Sequence, residues 1–489
     1  MIIGFLCNQT DSAKILGIIP TAAFSHQIAY MKFWRELSSK GHQVTVLTTD
    51  PQKNTSLTNL TEIDLSIGYK FIKEKHNWPE VIMQQTNPYK FLNHMLQMMY
   101  EATELYLQLP EVQNLINNKS LHFDLVMVEA VFPEWLIFGE IFNAPTIMLM
   151  SLDGTVQIHR MFQNPTHPVV YPEIFVPFVG HLSFTERLIS TVLSWSFDYV
   201  KSQYMDRRQQ IINTYFRNIS NSIDTFTNKS SLLFLCVNPV LLLPRPYTPR
   251  TIVIGGGTTI QEPRELPSDV KHFLDSSEHG AILFSLGSNV QCEDLGEDTI
   301  KGFLKVLGEL PYNTLWKFKN KFNYDIPENV KTYDWLFQQD ILRHPKVKLF
   351  INQAGIQSLE EAIYFSVPII AIPIYADQEN NAKRLQQKGV LKRILLKPEL
   401  NSTHLKETIV DMMQNKLYIE KMRKLSQFSM DQPMDGIQKA IWWTEYVIRH
   451  GGNVEYMINT AASQTPFYQY YLIDVTFNKI KLECKMKQS

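Results

Sequence analysis

Cysteine is scarce and scattered: Cys7, Cys236, Cys292 and Cys484 are far apart, and no two of them form a CxxC pair. That excludes a zinc ribbon, a dithiol redox centre and a disulfide-dense scaffold, while a single bridge stays open. An excess of one charge is also lacking. Lys+Arg 47 balance Asp+Glu 48 for a formal net charge of -1, and without a Lys/Arg-rich run the chain has no electrostatic footprint for nucleic acid. No stretch reaches the roughly 18 apolar residues of a membrane span. HExxH, GxGxxG, GxxxxGK and GxSxG are missing, so zincin, dinucleotide, P-loop and serine-hydrolase chemistry lose their signatures. With no metal-ligand cluster in the sequence, no metal and no cofactor are expected.

What is present is apolar side chain. A chain of 489 residues, 44% hydrophobic and 19% charged, is too apolar for disorder and long enough for two or three domains. Met1 to Cys7 is apolar but too few for a full secretory h-region, which needs about 7–15 apolar residues behind a positively charged start, and reads as the tail of a signal segment. N-x-S/T acceptors begin at Asn8, Asn54, Asn59, Asn118, Asn218, Asn228 and Asn401, which matter only in a secretory lumen.

Ile15 to Pro20 reads as a buried strand and Thr21 to Ser25 as a loop of small residues. His26 then opens a segment with Ile28, Met31, Trp34 and Leu37 at helical spacing, closed by Lys40-Gly41, before the next apolar run Val44 to Leu47. This β-loop-α-β beginning implies a parallel sheet. The pattern returns at Phe123 to Glu129, an apolar strand ending in a carboxylate, and at Pro145 to Met150. A Met-, Tyr- and Phe-rich helical stretch, Asn87 to Leu109, lies between. Its stripe of Tyr89, Phe91, Met95, Met98, Met99, Tyr100 and Tyr106 suits helix core packing or an apolar pocket. Prolines recur from Pro165 to Pro177, and a long amphipathic segment follows to about Phe216; this region reads as a cap. Leu241 to Pro249 carries three prolines in nine residues and precedes Gly255-Gly256-Gly257, the composition of a linker. Beyond it a second series has strands at Ala281 to Leu286, Thr314 to Phe318, Val347 to Ile351 and Pro368 to Ile374. A last helix spans Ile437 to Arg449. Two α/β halves with a linker imply a cleft at the carboxyl ends of two sheets.

Site signal is densest from Asp334 to Asn381. The strand Lys348 to Ile351 turns at Asn352-Gln353-Ala354-Gly355 and enters a helical run at Gln357-Ser358-Leu359-Glu360-Glu361-Ala362, which aims unpaired backbone N–H groups at the cleft and suits a phosphate. Asp334-Trp335-Leu336-Phe337-Gln338, this turn, and Pro368 through Tyr375-Ala376-Asp377-Gln378 together resemble the donor-binding signature of the UDP-glycosyltransferases, the family that contains the animal UDP-glucuronosyltransferases. Ser285-Leu286-Gly287-Ser288, Phe123-Asp124-Leu125-Val126 and Gly41 to Leu47 extend the resemblance to nearly the whole chain.

The resemblance implies an α/β fold of GT-B type, with two Rossmann-like doubly wound domains facing across a cleft. Residues 1–245 would bind the acceptor and 246–436 the UDP-sugar, with 437–489 a closing helix and tail. It implies uracil stacking on Trp335, with Gln338 beside base and ribose and Glu361 accepting from the ribose hydroxyls. Ser285, Gln357 and Ser358 would reach the pyrophosphate, and Asp377 and Gln378 the sugar. His26 would be the base of a single inverting displacement and Glu129 the carboxylate that orients it; imidazole titrates near neutral pH and can take a hydroxyl proton there. Glu360 reads as a solvated helix charge, and His159, His167 and His181 as ordinary surface or pocket residues.

The sequence departs from the family in places. Gln353 stands where the family has a diphosphate-contacting histidine, Ala354 where it has glycine, Phe337 where it has proline, and Glu129 where Asp is common. Tyr470 to Val475 matches the stretch that the family continues into a membrane helix, yet Thr476 to Ser489 is polar. The expectation is therefore an inverting hexosyltransferase, weakened at the turn, that moves glucose or glucuronate from a UDP-sugar to a hydroxyl of a small lipophilic acceptor. It would act in detoxification on the lumenal side of the endoplasmic reticulum, membrane-associated as in the family, or as a soluble lumenal or secreted protein. The alternative is a non-enzymatic nucleotide- or lipophile-binding protein of the same fold. Oligomeric state has no signature in the sequence.

Overall fold

The computed structural model describes residues 12–77, 81, 87–216, 221–288, 290, 292–320, 323–396, 400–459, 465–470 and 472–477. The signal-like start, the acceptors at Asn8 and Asn218 and the tail from 478 onward lie outside the described residues. Seven parallel strands form the first sheet: β1 Lys14–Ile19, β2 Gln43–Thr48, β3 Leu60–Asp64, β4 Leu125–Glu129, β5 Thr146–Met150, β6 Leu232–Leu235 and β7 Thr251–Val253, in the order β3-β2-β1-β4-β5-β6-β7. Six form the second: β8 Ala281–Ser285, β9 Asn313–Lys317, β10 Val330–Tyr333, β11 Val347–Asn352, β12 Ile369–Ala371 and β13 Leu391–Arg393, in the order β10-β9-β8-β11-β12-β13.

The central strands are apolar throughout because both faces are covered. In β4, Leu125 and Met127 pack into one cluster with Tyr30 and Trp34, whereas Val126 and Val128 face the other with Tyr106 and Phe138; side chains of a strand alternate between faces. Each sheet reverses its winding once, between β1 and β4 in the first and between β8 and β11 in the second. The crevice outside the strand ends at such a switch point is where open α/β sheets bind ligands. His26 follows β1 and Glu129 ends β4; Ser285 ends β8 and Gln353 follows β11.

The amphipathic segment of the cap is one helix, Phe184–Tyr215, started by a capping box of Ser183 and Glu186. The Met-rich helix spans Pro88–Leu107, with Asn87 accepting from Tyr89 N and Lys90 N. The domain boundary differs from the expected 245/246. β7 pairs with β6, so the first sheet runs to Val253; the prolines occupy the loop joining these two strands. The helix Gly436–Arg449 returns to the first domain, placing Ile437, Ala440 and Ile441 in the cluster of Ile15 and Trp34.

Glu360 is likewise not a solvated charge. It is 1% exposed, and its Oε1 accepts from Gly256 N and Gly257 N, each at 2.9 Å. The glycine run, at φ +97 for Gly256 and +102 for Gly257, folds over the helix carrying Glu360 and removes it from water. Burial raises the carboxyl's pKa, and the two N–H donors oppose that shift.

Candidate active site

His26 sits in the first turn of the helix Phe24–Ser39, and Glu129 is the last residue of β4, 1% exposed. Because β1 and β4 are neighbours, the two side chains meet: His26 Nδ1 lies 2.6 Å from Glu129 Oε1. Glu129 Oε2 accepts from Thr21 N at 3.2 Å and Thr21 Oγ1 at 2.7 Å, tying the carboxylate to the loop before the helix. Ser151, just after β5, brings its Oγ to 2.9 Å from the same Nδ1. A carboxylate accepting from Nδ1–H leaves Nε2 as the basic nitrogen.

In the second domain, Glu361 is 4% exposed and accepts from Gln338 Nε2 at 2.5 Å and Gln339 Nε2 at 2.7 Å. Burial raises its pKa to about 7, against the pull of these two donors. Gln338 Nε2 also donates to Ser358 Oγ at 3.1 Å. Trp335 is half exposed; Phe24 of the first domain meets its ring edge-on at 5.6 Å, and Lys317 Nζ stands 4.4 Å from its centroid. Phe337 lies under the Arg264 guanidinium at 5.6 Å.

Ser285 Oγ accepts from Gly287 N at 3.4 Å. Gln357 Nε2 donates to Ser151 O at 2.8 Å, so one residue of the first domain touches both His26 and the second domain. Asp377 accepts from Asn381 Nδ2 at 2.7 Å. Burial raises its pKa, and the hydrogen bond from Asn381 opposes that shift. Gln378 spends its Oε1 on Ile374 N and Tyr375 N at 2.8 and 3.0 Å, leaving the amide nitrogen for the cleft. Gln353 is 8% exposed; its Oε1 has no hydrogen-bond partner among the described residues, and a Cβ on Gly287 would stand 2.5 Å from its Nε2. Ala354 adopts φ +63 in full burial, a conformation that costs a non-glycine residue about 1–2 kcal/mol.

These residues line two cavities. One, of about 250 Å³, holds His26, Gln353, Asp377 and Gln378, with an apolar wall that includes Phe91, Met95 and Met99. The other, of about 150 Å³, holds Ser285, Lys317, Trp335, Gln338 and Glu361. They communicate along Ser25, Gly287, Ser288, Gln357 and Ser358, which line both. The Met-rich stripe is thus divided. Phe91, Met95, Met98, Met99 and Tyr106 reach the first cavity, Met99 and Tyr106 belong to the core as well, and Tyr89 is exposed.

Sequence reasoning missed Ser151, Gln339, Lys317 and Phe24. Gln339 was adjacent to a recognised glutamine, whereas the others arrive from separate elements and left no local signal. His159 is neither surface nor pocket lining: it is fully buried, with Nε2 3.0 Å from Asp153 Oδ1 and Asn164 on its other nitrogen. His167 and His181 are exposed.

Two switch-point clefts facing each other define the GT-B class of glycosyltransferase, and the solved glycosyltransferase VinC, in complex with DTDP, superposes with a TM-score of 0.60 at 15% identity over 89% of this chain and 100% of its own. A family model described as UDP-glucoronosyl and UDP-glucosyl transferase matches residues 13–485. UDP-glucosyltransferase 2 of Dactylopius coccus is 33% identical over 96% of this chain and 90% of its own length, and UDP-glucuronosyltransferase 2B9 of Macaca fascicularis is 26% identical over 97% and 91%. The chain belongs to this family of UDP-glycosyltransferases.

Proposed function

We propose that the protein transfers a hexose, glucose or glucuronate, from a UDP-sugar to a hydroxyl of a small lipophilic acceptor with inversion at the anomeric carbon. The observation that carries this reading is the His26–Glu129 pair at the rim of an apolar cavity that opens into the cavity beneath Trp335. In this reading the acceptor oxygen attacks C1 while its proton passes to His26 Nε2. The bond from C1 to the diphosphate breaks, and UDP leaves with the electron pair. Glu129 stabilises the imidazolium, and N–H and hydroxyl donors around Ser285, Gln353 and Ser358 receive the diphosphate charge. Trp335 stacks the base, Glu361 accepts from the ribose, and Asp377 and Gln378 hold the sugar. These roles require no metal, and among the described residues no three His, Cys, Asp or Glu side chains gather as a metal site would.

Lumenal residence belongs to the same proposal, supported by exposed acceptors at Asn54, Asn59, Asn228 and Asn401. Among the described residues no helix is long and apolar enough to cross a membrane. Purified protein given UDP-glucose or UDP-glucuronate with a panel of phenols should release UDP and form the glycoside. Saturable binding without release would instead favour a binding protein, a reading that the missing turn histidine supports.

Gln353 and Glu361 each give a prediction. An amide at position 353 donates a neutral hydrogen bond where an imidazolium would donate a charged one, so Gln353→His is expected to raise kcat about tenfold. An unchanged kcat would mean that this side chain does not reach the leaving group.

A carboxyl raised from 4.5 to about 7 contributes stability fully below pH 4.5 and loses it as pH rises through 7. The unfolding midpoint of the ligand-free protein should therefore fall over that interval. UDP affinity should move the opposite way, strengthening about tenfold between pH 6 and 8, because the ribose hydroxyls need the ionised acceptor. Both trends should flatten in Glu361→Gln, and calorimetry across pH checks them.

A further inference from the structure

The larger cavity has a second polar station that the transfer chemistry leaves unused. The helix Phe184–Tyr215 places Lys201, Met205 and Arg208 on its wall, at the i, i+4 and i+7 spacing of one helix face. Lys201 is 7% exposed and Arg208 6%. Arg208 is held by one hydrogen bond, Nη2 donating to Val131 O at 2.9 Å, while its Nε pairs in charge with Glu134 Oε2 at 3.2 Å without a hydrogen bond among the described residues. Glu134 Oε1 in turn accepts from Thr103 Oγ1 at 2.8 Å. Lys201 differs. Its Nζ stands 3.5 Å from Glu173 Oε1, a charge pair without hydrogen-bond geometry, and makes no hydrogen bond among the described residues.

An ammonium carries three N–H donors, and leaving them unused in a buried wall is costly. Glu173 does not serve them in this geometry: its Oε1 stands 3.5 Å away without a hydrogen bond, and its Oε2 accepts from Val156 N at 3.3 Å. The charges also say what would satisfy the lysine. Lys201 and Arg208 are balanced by Glu173 and Glu134, so a ligand anion would add an uncompensated charge, whereas a neutral oxygen would complete the hydrogen bonding at no electrostatic cost. The neighbouring helix lines the same cavity mainly with apolar side chains, Leu92, Met95 and Leu96 among them.

We propose that the natural acceptor carries, besides the hydroxyl that receives the sugar, a second, neutral oxygen, such as a ketone, an ester carbonyl or a hydroxyl, that accepts a hydrogen bond from Lys201. This rests on reading the larger cavity as the acceptor site. It defines the substrate class as oxygenated lipophiles with two polar ends, not simple hydrophobic phenols.

The test compares para-cyclohexylphenol with its counterpart bearing a ketone at the far end of the cyclohexane ring. Both are measured by calorimetry without donor and then in the transfer assay. In a purely apolar cavity the ketone is the weaker ligand, because its carbonyl must shed water. The wild-type protein is expected to reverse that order, with a Kd about tenfold lower for the ketone. Lys201→Met should restore the apolar order. Lys201→Met combined with Glu173→Gln, which keeps the buried charges balanced, should do the same and serves if the single variant fails to fold. A wild-type protein that prefers cyclohexylphenol, or binds neither compound, overturns the proposal. Ranked binding with no UDP release would refute the enzymatic reading and leave the role of Lys201 standing. Transfer to both phenols with the ketone ranked second would refute the role of Lys201 and leave the enzyme.

Discussion

Replacing His26 with glutamine is expected to lower kcat by about 10²–10⁴, the usual worth of a positioned general base, while UDP affinity changes little. Glutamine keeps a polar side chain of similar reach against Glu129 Oε1, which His26 Nδ1 approaches to 2.6 Å, so the loop tied down through Thr21 has no reason to move. What is lost is Nε2 as an acceptor for the hydroxyl proton. Glu129→Gln probes the same pair from the other side: an amide can donate to Nδ1, which places the imidazole proton on Nε2 and removes the base without removing the ring. A comparable fall in kcat with UDP binding retained is the expected result. Because Glu129 also accepts twice from Thr21, its variant should lose some stability as well, and thermal unfolding separates that loss from the chemistry. Near-normal turnover in His26→Gln would remove the imidazole from the reaction.

That these two side chains, singled out through the family resemblance, meet has a topological reason. β1 and β4 are uninterrupted apolar runs because both faces of the sheet are covered, and adjacent strands in a parallel sheet bring their carboxyl ends to one edge. A histidine after one such run and a carboxylate ending another are therefore legible as neighbours. β3, β7, β10 and β13 are the edge strands of the two sheets, only partly buried and interrupted by polar residues, so no continuous apolar run marks them, which also hid the true end of the first sheet at Val253. Glu360 was misread for a different reason. Its burial comes from the glycine run crossing over it from the linker, and no local pattern in Gln357 to Ala362 records a distant backbone segment. Ser151 and Lys201 fall in the same class: each acquires its meaning through space, from a helix or strand elsewhere in the chain.

Trp335→Ala is expected to weaken UDP binding by about 5–150-fold, corresponding to the 1–3 kcal/mol lost when a stacking aromatic is removed from a nucleobase, with Trp335→Phe retaining most of the affinity. The ring is half exposed and edged by Phe24 across the interface between the two domains. Lys317 stands over it at 4.4 Å, and its Nζ donates to Gly287 O at 2.9 Å. The tryptophan is therefore held in place by contacts with both domains while keeping open surface toward the second cavity, the arrangement a stacking platform needs. Since so much of the ring already faces water, truncating it should change folding stability by no more than about 0.5 kcal/mol, and a lost affinity is then a binding effect. Calorimetric titration with UDP, paired with thermal unfolding of each variant, makes the distinction. Phe24→Ala should give a smaller loss of the same kind, because it supports the ring without contacting the base. Unaltered UDP affinity in Trp335→Ala would place the nucleotide elsewhere and detach Gln338, Ser358 and Glu361 from it together, since these three form one hydrogen-bonded set beside that ring.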